Sequence, residues 1–240
     1  MKTLKTILPI TLLFVVLTGC GKKLFGSIVG KGDNVTEIRE LTGFNKIKLA
    51  MDGDVIYVQD SAYYVEISAQ ENVLEVLTTE ISAGELKIDF RKWVRRHKDI
   101  TIIVHCPEMR GMTISGSGNI DSPNAIASND MDLRISGSGN ISLYSVVTPE
   151  LDASISGSGN ITIGGGSANN EKVTISGSGN IDVLGLEANS SYAKISGSGS
   201  ITVKVVQQLD ATISGSGDIR YSGQPVVNTH ISGSGAVIHL

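Results

Sequence analysis

From Val35 onward the chain is built from short runs in which apolar and polar residues alternate, and no stretch repeats at helical spacing. Runs such as Ile47-Lys48-Leu49, Tyr64-Val65-Glu66-Ile67, Leu86-Lys87-Ile88-Asp89-Phe90, Ile141-Ser142-Leu143, Ile161-Thr162-Ile163 and Ile201-Thr202-Val203 have a period of two. That period predicts strands with one buried face. Between them lie turn formers, among them Gly164-Gly165-Gly166, Asn169-Asn170 and Asn189-Ser190.

One pentapeptide recurs within this pattern. Ile-Ser-Gly-Ser-Gly begins at Ile114, Ile135, Ile155, Ile175, Ile195, Ile213 and Ile231, at spacings of 21, 20, 20, 20, 18 and 18 residues. The next residue is polar in six copies (Asn119, Asn140, Asn160, Asn180, Ser200, Asp218) and Ala236 in the last, and an Ile or Val follows it. Two or three short strands per ~20 residues at one period describe a coil of a β-solenoid, most simply a parallel β-helix. A leucine-rich repeat needs Leu at fixed positions, and a propeller blade needs ~40 residues. Coils stack about 4.8 Å apart, so seven of them span roughly 34 Å and equivalent side chains form ladders along the axis. Asn119, Asn140, Asn160 and Asn180 are then a structural ladder at one corner, exchanging amide hydrogen bonds or capping the bend. The repeated glycines are expected to supply positive φ and close backbone approach.

Residues 35–106 lack the pentapeptide but keep the strand pattern. They read as irregular opening coils continuous with the solenoid and covering its first edge, with 107–240 as the repeat coils. A separate sandwich is the alternative.

The amino terminus has a different pattern. Lys2 and Lys5 precede the apolar stretch from Ile7 to Leu17, which is too short for an ordinary membrane span and matches a secretion signal. Leu17-Thr18-Gly19-Cys20 matches a bacterial lipobox, so residues 1–19 read as a lipoprotein signal peptide, Cys20 as the lipidated residue and 20–34 as a tether. Losing Lys2 and Lys5 takes the net charge from -4 to -6. Position 21 is Gly rather than Asp, and no acidic run adjoins Cys20. Both point to an outer-membrane anchor facing the periplasm of a bacterial cell envelope.

Composition narrows the function classes. Glycine is high at 28 of 240 residues, but Pro is only 5 and apolar residues make up 40%, which excludes a collagen or a disordered tract. The acidic balance argues against nucleic acid as a partner. Two cysteines make no disulfide framework, and the four histidines lack metal-ligand spacing. Cys106 reads as a buried structural thiol. The string Arg91-Lys92-Trp93-Val94-Arg95-Arg96-His97-Lys98 is the densest charge run and holds the single Trp. It reads either as a basic contact loop for a glycan, anionic lipid headgroups or an acidic partner, or as a solvated tip with Trp93 folded back on the solenoid.

The Ser-Gly-Ser-Gly-Asn-Ile repeats, preceded by Gly43-Phe44-Asn45-Lys46-Ile47, resemble the bacterial secreted family described as auto-transporter adhesin, head GIN domain, over about Glu37 to Tyr221. The resemblance implies a right-handed parallel β-helix, an adhesin-like or structural role, and no catalytic residues or cofactor. The expectation is therefore a non-enzymatic envelope lipoprotein that contacts the membrane through Cys20 and binds a glycan or an envelope protein. The alternative is a carbohydrate-active enzyme, since β-helices also carry polysaccharide lyases and hydrolases with convergent carboxylates. Asp121 and Asp182 share one repeat position, but Ser142, Thr162, Thr202 and Arg220 fill it in other coils, so no adjacent coils stack two acids there.

Overall fold

The computed structural model describes residues 26–240. Cys20, the signal sequence and the first part of the tether lie outside the described residues. The rest is almost entirely β, a β-solenoid of about six turns of ~20 residues.

Every repeat coil contributes to parallel ladders. The first face stacks 111–114, 131–135, 151–155, 171–175, 191–195, 209–213 and 227–231. The second stacks the segments that start at Ile120, Ile141, Ile161, Ile181, Ile201, Ile219 and Val237. A third, shorter face runs from 125–127 to Lys204 and Val205. The last two spacings are 18 rather than 20 because the register shifts between Asp182 and Glu187 and again between Ala188 and Ser190, so the coil shortens on this face.

The core is a set of one-residue-wide ladders. Ile114, Ile135, Ile155, Ile175, Ile195 and Ile213 form one column, and Ile120, Ile141, Ile161, Ile181, Ile201 and Ile219 another, all buried. Alternation puts the partners of these residues outside, so Ser and Thr face solvent. Equivalent β-branched side chains in register pack on one another along the whole axis. In the last coil Val226, Ile231, Ile238 and Leu240 are exposed.

The pentapeptide glycines do one of the two jobs expected of them. None of the fourteen has positive φ; that conformation occurs at Gly26, Gly32, Gly43, Gly84, Gly166 and Gly223. What the motif requires is room. A Cβ on Gly157 would sit on the carbonyl oxygen of Gly137, and one on Gly159 on that of Gly139, with the same clash repeated at Gly177, Gly179, Gly197 and Gly199. Two glycine columns therefore let the corners stack backbone on backbone. The intervening serines carry the bonds between coils, as in Ser156 N to Ile135 O (2.8 Å) and Ser158 N to Gly137 O (3.1 Å).

The opening end holds β1 (Ile28–Val29), β2 (Asn34–Arg39), β3 (Lys46–Leu49), β4 (Asp54–Gln59), β5 (Tyr64–Gln70), a helical turn α1 (Glu71–Leu74), β6 (Leu77–Ser82), β7 (Glu85–Phe90), β8 (Val94–Arg96) and β9 (Thr101–Cys106). Strands β3 and β4 pair in parallel with 111–114 and 119–121, forming a coil without the pentapeptide beneath the first repeat coil. Strands β7 and β9 pair in parallel beneath β3 and β4. Below them the stack changes character. Strand β5 runs antiparallel to β9, β2 antiparallel to β5, and β6 antiparallel to β7. The β6–β7 hairpin closes through Ala83 (φ 51°) and Gly84 (φ 77°), the left-handed pair that a two-residue hairpin turn needs.

Candidate functional site

The asparagine column is a continuous chain of side-chain bonds. Asn140 Nδ2 donates to Asn119 Oδ1 (3.0 Å), Asn160 Nδ2 to Asn140 Oδ1 (2.9 Å) and Asn180 Nδ2 to Asn160 Oδ1 (3.0 Å). Each Oδ1 also accepts the backbone N–H of the next coil, ending at Ser200 N to Asn180 Oδ1 (3.0 Å). At the other end Asn119 Nδ2 donates to Asp54 Oδ1 (2.8 Å), so the column begins on the motif-free coil. Amide oxygens used twice have little capacity left for a ligand. This is a fold-forming column.

The basic loop sits at the foot of the same corner. Arg91, Lys92, Trp93, Val94 and Arg95 line a groove of about 700 Å³ together with Met51, Asp52, Gly116 and Ser117. Trp93 is 65% exposed and stands away from the body instead of folding back on it. The loop backbone is nonetheless held firmly: Arg91 N donates to Val76 O (2.9 Å), the Arg91 guanidinium to Glu75 O (2.5 Å), and Lys98 N to Gln70 Oε1 (3.0 Å). His97, next in the chain, meets Asp52 Oδ2 at 3.0 Å. Lys98 Nζ binds Asp33 (2.6 Å) and Lys87 Nζ binds Asp89 (2.8 Å), whereas Arg91, Lys92, Arg95 and Arg96 form no salt bridge among the described residues. The result is an aromatic ring set among four unneutralised cations on a fixed backbone.

A second groove lies away from the repeat position of Asp121 and Asp182. It lies three residues before each motif isoleucine, where Asp132, Asp152, Lys172, Tyr192 and Asp210 stand in register on successive coils. Its carboxylates are held by neighbours: Arg134 on Asp132, Lys172 on Asp152 (3.0 Å), and Asn228 on Asp210 (2.8 Å). One place earlier the column is Met131, Leu151, Glu171, Ser191 and Leu209, so Glu171 and Ser191 interrupt an apolar ladder. Glu171 is 3% exposed; its Oε1 accepts from Ser191 Oγ (2.6 Å) and its Oε2 has no partner among the described residues. Burial raises its pKa to about 7, with the Ser191 bond opposing only in part.

Cys106 is fully buried, its Sγ donating to Glu108 O at 3.2 Å, and burial pushes the thiol up to about 11. A thiol so disfavoured as thiolate is a poor nucleophile. Among the described residues no cluster of His, Cys, Asp or Glu is arranged to hold a metal ion, and no helix is long and apolar enough to cross a membrane.

A stacked-coil body with Ile ladders and a corner Asn column, opened by a strand-rich cap, defines a β-solenoid. The chain belongs to the family described as "Putative auto-transporter adhesin, head GIN domain", whose model matches residues 43–225. Among solved structures it is similar to a putative adhesin of Bacteroides fragilis, at 24% identity and a TM-score of 0.83, with 89% of this chain and 100% of that one covered. A putative adhesin of Parabacteroides merdae matches at 25% identity and a TM-score of 0.73, covering 89% and 99%. A protein of Parabacteroides distasonis described as a putative lipid binding protein matches at 26% identity and a TM-score of 0.74, covering 90% and 100%. No curated protein sequence matches the chain.

Proposed function

We propose that this chain is a non-enzymatic lipoprotein of the bacterial envelope, anchored through Cys20 to the outer membrane and facing the periplasm, and that it works as an adhesin-like module. Its partner is an envelope glycan or protein, held by many weak polar contacts along the flat faces of the solenoid. The observation that carries this reading is the register itself: outward positions such as Ser142, Thr162, Asp182 and Thr202 repeat from coil to coil, presenting a periodic polar surface. The family description and the names of the adhesin relatives support it. The carboxylates that line up at 132, 152 and 210 support it too, because each is engaged by a cation or an amide rather than poised as an acid and base pair.

The reading is tested in cells. Radiolabelled palmitate should enter the wild-type chain and not Cys20→Ser. Protease added to intact cells should leave the protein whole and cut it after the outer membrane is permeabilised, and crosslinking should capture an envelope polymer. Depolymerisation of that polymer by the purified protein would overturn the non-enzymatic assignment, and cleavage in intact cells would overturn the periplasmic one.

A further inference from the structure

We infer that the opening end of the solenoid lies flat on the bilayer that holds Cys20, with the 91–96 loop seated on anionic phosphate headgroups and Trp93 at the interface. The inference rests on the lipid-anchored reading above and adds an orientation and a lipid chemistry to it.

Three observations converge on this end. The first is where the chain leaves the body. Strand β1 pairs with β8, the strand of the basic loop. Ile28 N donates to Trp93 O (2.8 Å) and Gly30 N to Arg96 O (2.8 Å). Asn72 fixes the same strand from its other side, donating to Val29 O and accepting from Lys31 N, both at 2.9 Å. Only seven residues lie between Cys20 and Ile28, and the eight steps of a fully extended chain between them reach no more than about 28 Å. A lipid on Cys20 therefore holds the basic loop within that distance of the bilayer.

The second observation is charge. The chain as a whole is acidic, at -4, yet Arg91, Lys92, Arg95 and Arg96 are exposed together without carboxylate partners among the described residues. Residues 1–25 contain no Asp or Glu, so they supply no carboxylate side chain to the patch. Anionic bilayers attract juxtamembrane Lys and Arg, and one lipid anchor combined with a basic patch is a stable two-part attachment. The third is Trp93, the single Trp, 65% exposed and with its carbonyl held by Ile28 N. Indole is enriched at the headgroup level, where its apolar ring and its N–H are both satisfied.

The full mature lipoprotein, purified in detergent, is reconstituted into vesicles of phosphatidylcholine alone or with phosphatidylglycerol, each with brominated acyl chains. Co-flotation reports the anchor, and Trp93 fluorescence alone reports docking. The expected result is flotation with both vesicle types, with blue-shifted and quenched Trp93 emission only where phosphatidylglycerol is present, reversed by high salt. Each basic side chain is worth about fivefold near such a surface, so Arg95→Ser combined with Arg96→Ser should lower the ratio of docked to undocked chains roughly 25-fold while flotation and melting temperature hold. Lys92→Ser is a second variant outside β8, expected to give about a fivefold loss. Flotation with identical Trp93 emission in both vesicle types would overturn the inference and leave the anchor standing. Failure to float would overturn the anchor and, with it, the inference. Trp93 emission that responds to soluble dextran sulfate but not to phosphatidylglycerol would assign the patch to an acidic glycan and overturn the inference.

Discussion

Glycine does different work in the repeat body and in the opening end. In the body, Gly157, Gly159 and their equivalents have ordinary φ and are needed because the carbonyl of the coil below occupies the space of a side chain. In the opening end, Gly32 and Gly43 have positive φ with open space around the missing Cβ. A body built from identical corners can stack them backbone on backbone. An end that must turn parallel coils into antiparallel strands needs local reversals instead. The same residue type thus reports translation at the pentapeptide corners and change of direction at the opening-end turns, while Gly166 and Gly223 in the body combine positive φ with a crowded Cβ site.

Gly159→Ala should have the largest effect. The clash is with backbone of a coil packed on both sides, so the variant should lose about 4 kcal/mol or fail to fold, as judged by urea unfolding. Gly43→Ala should cost only the left-handed strain, about 1–2 kcal/mol. Equal losses at the two positions would mean that the corners can spread and that close approach is not what the motif provides.

Next in size is Glu171. Its folded pKa of about 7 lies above the ordinary 4.5, so its contribution is fully present below pH 4.5 and is lost as pH rises through 7. The loss amounts to about 3 kcal/mol. Unfolding free energies measured between pH 4 and 8 should fall more steeply for wild type than for Glu171→Gln, and parallel curves would contradict the buried, half-satisfied carboxyl. A smaller effect is expected from Asn160→Ala, which removes the links to Asn140 and Asn180 and should cost about 1 kcal/mol. Lys172→Ala, which breaks an exposed pair with Asp152, should change stability by less than about 0.5 kcal/mol in the same assay.

The body was legible in the sequence because its coils are nearly identical: the spacing of Ile114 to Ile231 gives the coil length, and alternation gives the buried columns. The opening end was less so. Alternation in Tyr64-Val65-Glu66-Ile67 marks a strand with one buried face, but it is the same for parallel and antiparallel partners, and the antiparallel pairing of β5 with β9 and β2 depends on long-range closure. The pentapeptide suggested both positive φ and close backbone approach; the stacked coils retain only the second, so crowding, not handedness, excludes a side chain. Glu171 could have been found by aligning the repeats four residues before the motif isoleucine, where its neighbours are Met131, Leu151 and Leu209. The basic loop was visible as a charge run. Its attachment to β1, which places it beside the tether, was not, because a two-residue strand leaves no periodic signal.

Both regions form a single stack, with the motif-free coil of β3 and β4 as the layer that meets the first repeat coil. Native-state hydrogen exchange tests it most directly at the seam, where Ser115 N donates to Leu49 O (2.9 Å) and Asn119 N to Gly53 O (3.0 Å). These amides should exchange with the same opening free energy as Ser156 and Ser176 deep in the body, whose bonds to the coils below are both 2.8 Å. Exchange at Ser115 and Asn119 a hundredfold or more faster than at Ser156 and Ser176 would contradict the claim, because the opening end would then come away as a unit of its own.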